Sequence, residues 1–407
     1  MSDVRDTQHA GIRIREIRLV RDYSLAELGQ RSHVSTSQLC RVENGERPAS
    51  ASVLAAVARA LGVTLSVLHG QPYVHMLQKD QLDRLLAPIS SALDAWDIPP
   101  DDDLPPETLD TVAGRVSGLV RLRSRGEFAQ LAEGLPGVIG ATARAVQTHA
   151  TPGAGRERAH YLQAEAARTA AILAYRLGYM DLARLALARM AAAAPHSGDP
   201  RQVAVERYER AVITHAEASR PDRGLALVRQ ALRDLPADGD PQTSAVRRPR
   251  GRRAAALVAR PRPRPAGPPG GGHAAELVAA GVRADAAEDP PGSRYALSFG
   301  ELNVSLGRLD VALLQDDHET AVDVASQVRI PASYQPTRVA GFLIRKATAE
   351  AWTARHEAAL ESLVQARAAA PQLTRYHPDV HQTVGMLLRT RQRAVGPLRQ
   401  FAEWSGV

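Results

Sequence analysis

The chain has 407 residues, 44% of them apolar and 4% aromatic, with a formal charge of +7 and a single cysteine. That length has room for two or three domains, one thiol excludes an internal disulfide framework, and the longest apolar runs are too short to span a membrane. The opening MSDVRDTQHAG lacks the apolar stretch of a secretory leader, so a reducing cytoplasm is the expected compartment.

Helical periodicity begins at Ile14 and Ile17, which mark one face of an opening helix. The next segment, Ser24 to Gly45 (SLAELGQRSHVSTSQLCRVENG), reads as two short helices joined by a tight turn. Leu25 and Leu28 mark the first, Val34 fills the turn, and Leu39 and Val42 mark the inner face of a second helix starting after Ser35. Thr36, Ser37, Gln38 and Arg41 are thereby left pointing outward. Ser50 then caps a helix carrying Leu54, Val57 and Leu61 and closed by Gly62, and Thr64 caps a last turn holding Leu65 and Leu68. These helices, placed at 9–70, share one small core.

The text from Gly11 to His69 resembles the helix-turn-helix domain of the lambda repressor/Cro-like (XRE) family. The resemblance implies that the second helix of the motif docks in the major groove of double-stranded DNA. Thr36, Ser37 and Arg41 would meet base edges there, with Gln38 contributing less. An arginine held bidentate on guanine gives about 1–3 kcal/mol of discrimination, which puts Arg41 first. Ser24 and Ser35 at helix N-termini, and Asn44 and Arg47 after the reading helix, are the implied phosphate contacts. Arg18 and Glu43 match the family's internal ion pair and are assigned to the fold. Two positions depart from the common pattern: His33 stands where many relatives place a turn glycine, and Leu25 where a base-reading Gln is frequent. Cys40 also lies on the reading helix. With no Lys or His at helical spacing to lower its pKa, a small residue tolerated beside the groove is favoured over a redox switch.

From Met76 to Trp96 a helical pattern is interrupted at Pro88, and Asp97 to Pro106 (DIPPDDDLPP) is an acidic, proline-rich connector without a core. Residues 71–106 are therefore read as a helical stretch plus linker, ahead of a second domain over 107–407. Beyond the linker Ala, Leu and Arg recur with helical period and strand signals are nearly absent, so the expected fold class is all-α. Gly178, Ala183, Leu187 and Pro195 fall at the separations where the tetratricopeptide repeat places its turn glycine, small contact residue, large apolar residue and closing proline. Gly224, Val228, Ala231 and Pro236 repeat most of that register, Ala359, Leu363, Ala366 and Pro371 give a third, and Ala321 and Ala325 a blurred fourth. The pattern resembles a tetratricopeptide-like α-solenoid, whose concave groove takes an extended peptide or a partner's tail. Tyr175, Arg207, Tyr208, His215 and Asn303 fall on or near the first helices and are the candidate groove-lining residues.

Within this region, at about 244–292, the text changes character, and no packed helix can be written from Val246 to Ala275. There, 26 of the 30 residues are Arg, Pro, Gly or Ala. Two readings stand. One is a flexible basic arm; the other, favoured because all four residue types have codons opening with two G or C letters, is translation out of frame. Removing its eight arginines takes the formal charge from +7 to −1, so overall basicity is no evidence for nucleic-acid binding.

No catalytic constellation stands out. His377 and His381 have helical metal-ligand spacing, but Pro378 follows the first and no glutamate accompanies them as in the protease signature. Asp316, Asp317, His318 and Glu319 read as a charged turn before a helix, and Gly270 to Gly272 lack the Lys and Ser/Thr of a phosphate loop. Neither enzyme activity nor a cofactor or metal is expected. An XRE-type domain followed by such repeats resembles bacterial peptide-responsive regulators and actinobacterial XRE regulators. Lys79 and Lys346 are the only lysines, which suits a GC-rich genome. The resemblance implies a cytoplasmic homodimeric regulator of transcription whose repeats bind a peptide, a small ligand or a partner protein. The alternative is an interaction or antitoxin-type module in which the helix-turn-helix serves assembly. The four polar outward residues, with no apolar patch, favour DNA.

Overall fold

The computed structural model describes residues 10–69, 76–96, 98, 107–216, 226–227, 230, 301–331, 334–390 and 396–407. Among them every regular element is a helix. The first five are α1 (Ala10–Val20), α2 (Leu25–Ser32), α3 (Thr36–Glu43), α4 (Ala51–Leu61) and α5 (Leu65–His69). After α6 (Met76–Asp94) come α7 (Leu109–Arg125), α8 (Phe128–Thr148), α9 (Ala154–Leu177), α10 (Met180–Ala193) and α11 (Pro200–Ala216). The series ends with α12 (Glu301–Leu314), α13 (His318–Gln327), α14 (Pro336–Trp352), α15 (His356–Ala369), α16 (Pro371–Tyr376), α17 (Pro378–Thr390) and α18 (Gly396–Ser405).

Two hydrophobic cores organise these helices. The smaller is built by α1–α5 around Ile14, Leu28, Leu39, Val57 and Leu68, each fully buried. Serine hydroxyls start three of its helices: Ser24 accepts from the Glu27 N–H, Ser35 from Gln38 and Ser50 from Val53. Such N-caps satisfy donors that a helix leaves free at its first turn. At the other end of α2 the chain turns through His33, whose backbone is left-handed at φ 55° and ψ 30° although the residue carries a Cβ. Gly29, one turn earlier, permits this sharp reversal: a Cβ built on it would lie 2.9 Å from the carbonyl oxygen of Val34.

The larger core gathers the remaining helices. Pro88 does not interrupt the helical pattern as expected but lies inside a continuous α6. Proline removes one donor from the ladder, while Leu86, Ile89 and Leu93 hold both halves of the helix against α8 and α10. Hence this core starts ahead of the connector at 97–106, of which only Ile98 is among the described residues.

Helical hairpins follow. In α9/α10 the turn residue Gly178 is left-handed at φ 84°, and Ala183 and Leu187 are buried. In α14/α15, Ala359, Leu363 and Ala366 are fully buried; Ala321 and Ala325 of α13 are buried beside them in the same core. Small residues at these contacts let helix backbones approach closely. Most of the register at 224–236, the whole of 246–275 and the glycines at 270–272 lie outside the described residues.

The two cores meet along a polar seam. Asp316, in the turn between α12 and α13, accepts a hydrogen bond from Ser50 Oγ at 2.8 Å and another from Ser52 Oγ. From α17, Gln382 donates its amide to the carbonyl of Ala49. His69, the last residue of α5, faces His377 and Asp379 at the start of α17. The seam uses the N-terminal end of α4 and the end of α5, leaving α3 uncovered.

Candidate nucleic-acid interface

The outer face of α3 follows from its inner one. Leu39 and Val42 are buried, 0% and 2% exposed, so helical geometry turns Thr36, Ser37, Cys40 and Arg41 to solvent. Gln38 is half-buried. The helix is held from behind by Arg18 of α1, whose Nε and Nη2 donate to the two carboxylate oxygens of Glu43 at 2.7 and 2.8 Å. Arg18 Nη1 also donates to the carbonyl of Tyr23 at 2.9 Å. The hydrogen bond to Glu43 raises the Arg18 pKa above its ordinary value, and the two-pronged contact ties α1 to α3.

Around this face the four expected phosphate-contacting residues are all exposed, each in a distinct setting. Ser35 caps α3. Asn44 ends it, its amide 3.6 Å from Cys40 Sγ and 3.4 Å from a Glu46 carboxylate oxygen, and the Arg47 N–H donates to the Arg41 carbonyl at 3.1 Å. Ser24 belongs to a capping box in which Glu27 Oε2 accepts from the Ser24 N–H at 2.7 Å. That bond is the main cause lowering the Glu27 pKa, which keeps a negative charge at the start of α2. A phosphate approaching Ser24 would meet this carboxylate. The S-x-x-E spacing of Ser24 and Glu27 was available in the sequence as the signal. Cys40 is exposed, and the Asn44 amide lies against its sulfur.

Of the candidate groove residues, Tyr175, Arg207 and Tyr208 have described side chains. Tyr175 at the end of α9 and Tyr208 on α11 are half-buried and both sense Asp310 of α12; burial pushes both hydroxyls above their ordinary pKa. Arg207 of α11 is half-buried too, and its charge acts on Glu206. The side chains of His215 and Asn303 lie outside the described residues.

His377 Nδ1 accepts from the Asp379 N–H at 3.3 Å, and His381 Nε2 lies 2.8 Å from the Arg375 carbonyl. Asp317 caps α13 by accepting from the Thr320 N–H at 3.3 Å. No group of His, Cys, Asp and Glu suited to a metal occurs among the described residues, and none of the described helices is long and apolar enough to cross a membrane.

Residues 14–68 match the family model described as Helix-turn-helix, of the XRE type. No curated protein and no solved structure was found to match the chain.

Proposed function

We propose that the chain is a sequence-specific regulator of transcription that reads double-stranded DNA with α3, acts as a homodimer in the cytoplasm, and answers to a peptide, small ligand or partner held by its second helical unit. The observation that carries this reading is the outer face of α3. Thr36, Ser37 and Arg41 stand exposed on a helix whose other side is pinned by Leu39, Val42 and the Arg18–Glu43 pair. A short helix with a rigid back and a polar front fits the major groove, where an arginine reads guanine through O6 and N7. Asn44, Arg47 and Ser35 would set its register on the backbone, with Ser24 weakened by Glu27. Tyr175 and Tyr208 remain groove-lining candidates. Arg207, His215 and Asn303 are carried with them on their sequence positions alone.

Selection of bound fragments from random duplex DNA, followed by titration of the selected sequence, tests the reading. Arg41→Ala should weaken binding to that sequence by roughly ten- to a hundredfold, from a loss of about 1–3 kcal/mol, while leaving non-specific binding nearly unchanged. Equal affinity of the variant and the wild type for the selected sequence would refute it.

A further inference from the structure

The second unit grips the α1–α5 unit where α4 begins. Ser50 Oγ donates to Asp316 Oδ2 at 2.8 Å, Ser52 Oγ donates to the same oxygen, and the Gln382 amide donates to the carbonyl of Ala49. Helix α12, which leads into the turn carrying Asp316, itself packs against α4. The gripped residues, Ala49 to Ser52, follow directly on the loop that leaves the reading helix, Asn44 to Pro48, and that loop carries Arg47.

Asp316 holds this contact at a cost. Its backbone is left-handed at φ 56°, a conformation that aspartate tolerates better than most residues but that only glycine adopts freely. Of its two carboxylate oxygens one is used: Oδ1 is buried and accepts no hydrogen bond from any described residue. A buried oxygen without a donor offsets part of what the two serine hydroxyls contribute. Backbone strain of this kind collects at switch regions as well as at active sites.

The place of the contact sets it against DNA. Ser50 lies three residues beyond Arg47, about 10 Å of chain at most. The Arg47 N–H is bonded to the Arg41 carbonyl at 3.1 Å, which keeps the loop against the end of α3. A separation of that size is comparable with the Debye length of about 8–10 Å at physiological salt. The carboxylates anchored at Ser50, Asp316 and its neighbour Asp317, therefore act on a phosphate brought to Arg47, and they repel it. The turn that carries them also takes up space beside the loop that would meet the DNA backbone.

We propose that the α12/α13 turn is an autoinhibitory latch: while Asp316 holds Ser50 and Ser52 the α1–α5 unit binds DNA weakly, and release of the turn, together with the Gln382 bond, frees it to bind. Whatever moves α12, α13 or α17 moves Asp316 or Gln382, so the latch is the route by which the second unit governs α3. This deepens the proposed function and rests on its DNA reading. Linkage runs both ways, and DNA must favour the open latch by the factor by which the closed latch weakens DNA binding. A seam that only braces the α1–α5 unit behaves otherwise: loosening it leaves DNA affinity unchanged or lowers it.

Anisotropy titrations of the full chain with its selected duplex separate the two, using wild type, Asp316→Ala, Ser52→Ala and Gln382→Ala. Ser50 is left in place because it caps α4. Asp316→Ala should bind roughly tenfold more tightly, since the fraction of open molecules limits wild type. Ser52→Ala and Gln382→Ala, which each remove one bond of the grip and keep the carboxylates and the left-handed turn, should each tighten binding roughly threefold. Amide hydrogen exchange of wild type gives a second readout: segments containing Ala49 to Ser52 and Gln315 to Asp317 should exchange faster once DNA is bound. Three outcomes overturn the latch: unchanged or weaker DNA binding in Asp316→Ala, a gain confined to Asp316→Ala, which would reflect charge removal alone, or exchange in both segments that DNA leaves unchanged or slows. If none of the four proteins binds any duplex, the DNA reading falls and the latch with it; if wild type binds its selected duplex and no variant improves on it, the latch alone falls.

Discussion

Glu27 shows how one side chain can serve the fold and oppose the ligand. Its carboxylate completes the capping box at the start of α2, yet it sits beside Ser24, where a DNA phosphate is expected. Glutamine can fill the same box without the charge. Glu27→Gln should therefore tighten DNA binding about two- to fivefold at low salt, with the gain fading as salt screens it, and leave the melting midpoint nearly unchanged. Anisotropy titrations at two salt concentrations check this; unchanged affinity at low salt would place the phosphate elsewhere. The residues of α3 were legible because Leu39 and Val42 fix its inner face, and whatever is left must point out. Gly29 was not legible, because its demand comes from a carbonyl 2.9 Å away that only the folded turn brings near. His33 stands where many relatives place a turn glycine, and it adopts the left-handed conformation all the same, with its N–H bonded back to the Gly29 carbonyl.

Helices were legible where small residues and caps agree with apolar period. Ala359 illustrates the packing rule: it is fully buried where α15 presses on α14, so any larger side chain must push the pair apart. Ala359→Leu should cost about 1–3 kcal/mol by overpacking, read as a lower urea midpoint with an unchanged slope; a neutral effect would mean that the hairpin contact is looser than its burial indicates. Pro88 was misread for a physical reason. A proline removes one hydrogen bond from a helix, and a pattern alone does not show whether flanking residues such as Leu86 and Ile89 hold the two halves in line.

Joining the two cores gives the molecule a seam whose strength depends on protonation. His69 of α5 is held down to a pKa of about 4, chiefly by burial and also by His377 and Arg13, with Asp379 opposing. His377, just ahead of α17, is held down to about 3 by burial, Arg176, Arg345 and His381. Both are neutral when folded. An unfolded histidine takes its proton near pH 6.5. The stability these residues contribute is therefore fully present above that pH and is lost as pH falls toward 4 and then 3, because only the unfolded chain gains protons in that window. The loss between pH 7 and 5 should be about 2 kcal/mol for each histidine, and about 4 kcal/mol for the pair. His160 and His318, also lowered by burial, add to the same slope, and His318 stacks on Trp352 two residues from Asp316, the acceptor of Ser50 and Ser52. Acid should thus loosen the attachment of the α1–α5 unit as well as the core beneath it. Urea unfolding at pH 7, 6 and 5 should show a falling midpoint in wild type and a shallower fall in the His69→Gln/His377→Gln double variant, with the residue of the slope due to His160 and His318. Limited proteolysis at the same pH values should release the N-terminal unit faster at pH 5, and faster at every pH in Asp316→Ala, which frees Ser50 and Ser52. An identical pH slope in the double variant would mean that neither histidine is kept neutral by the seam.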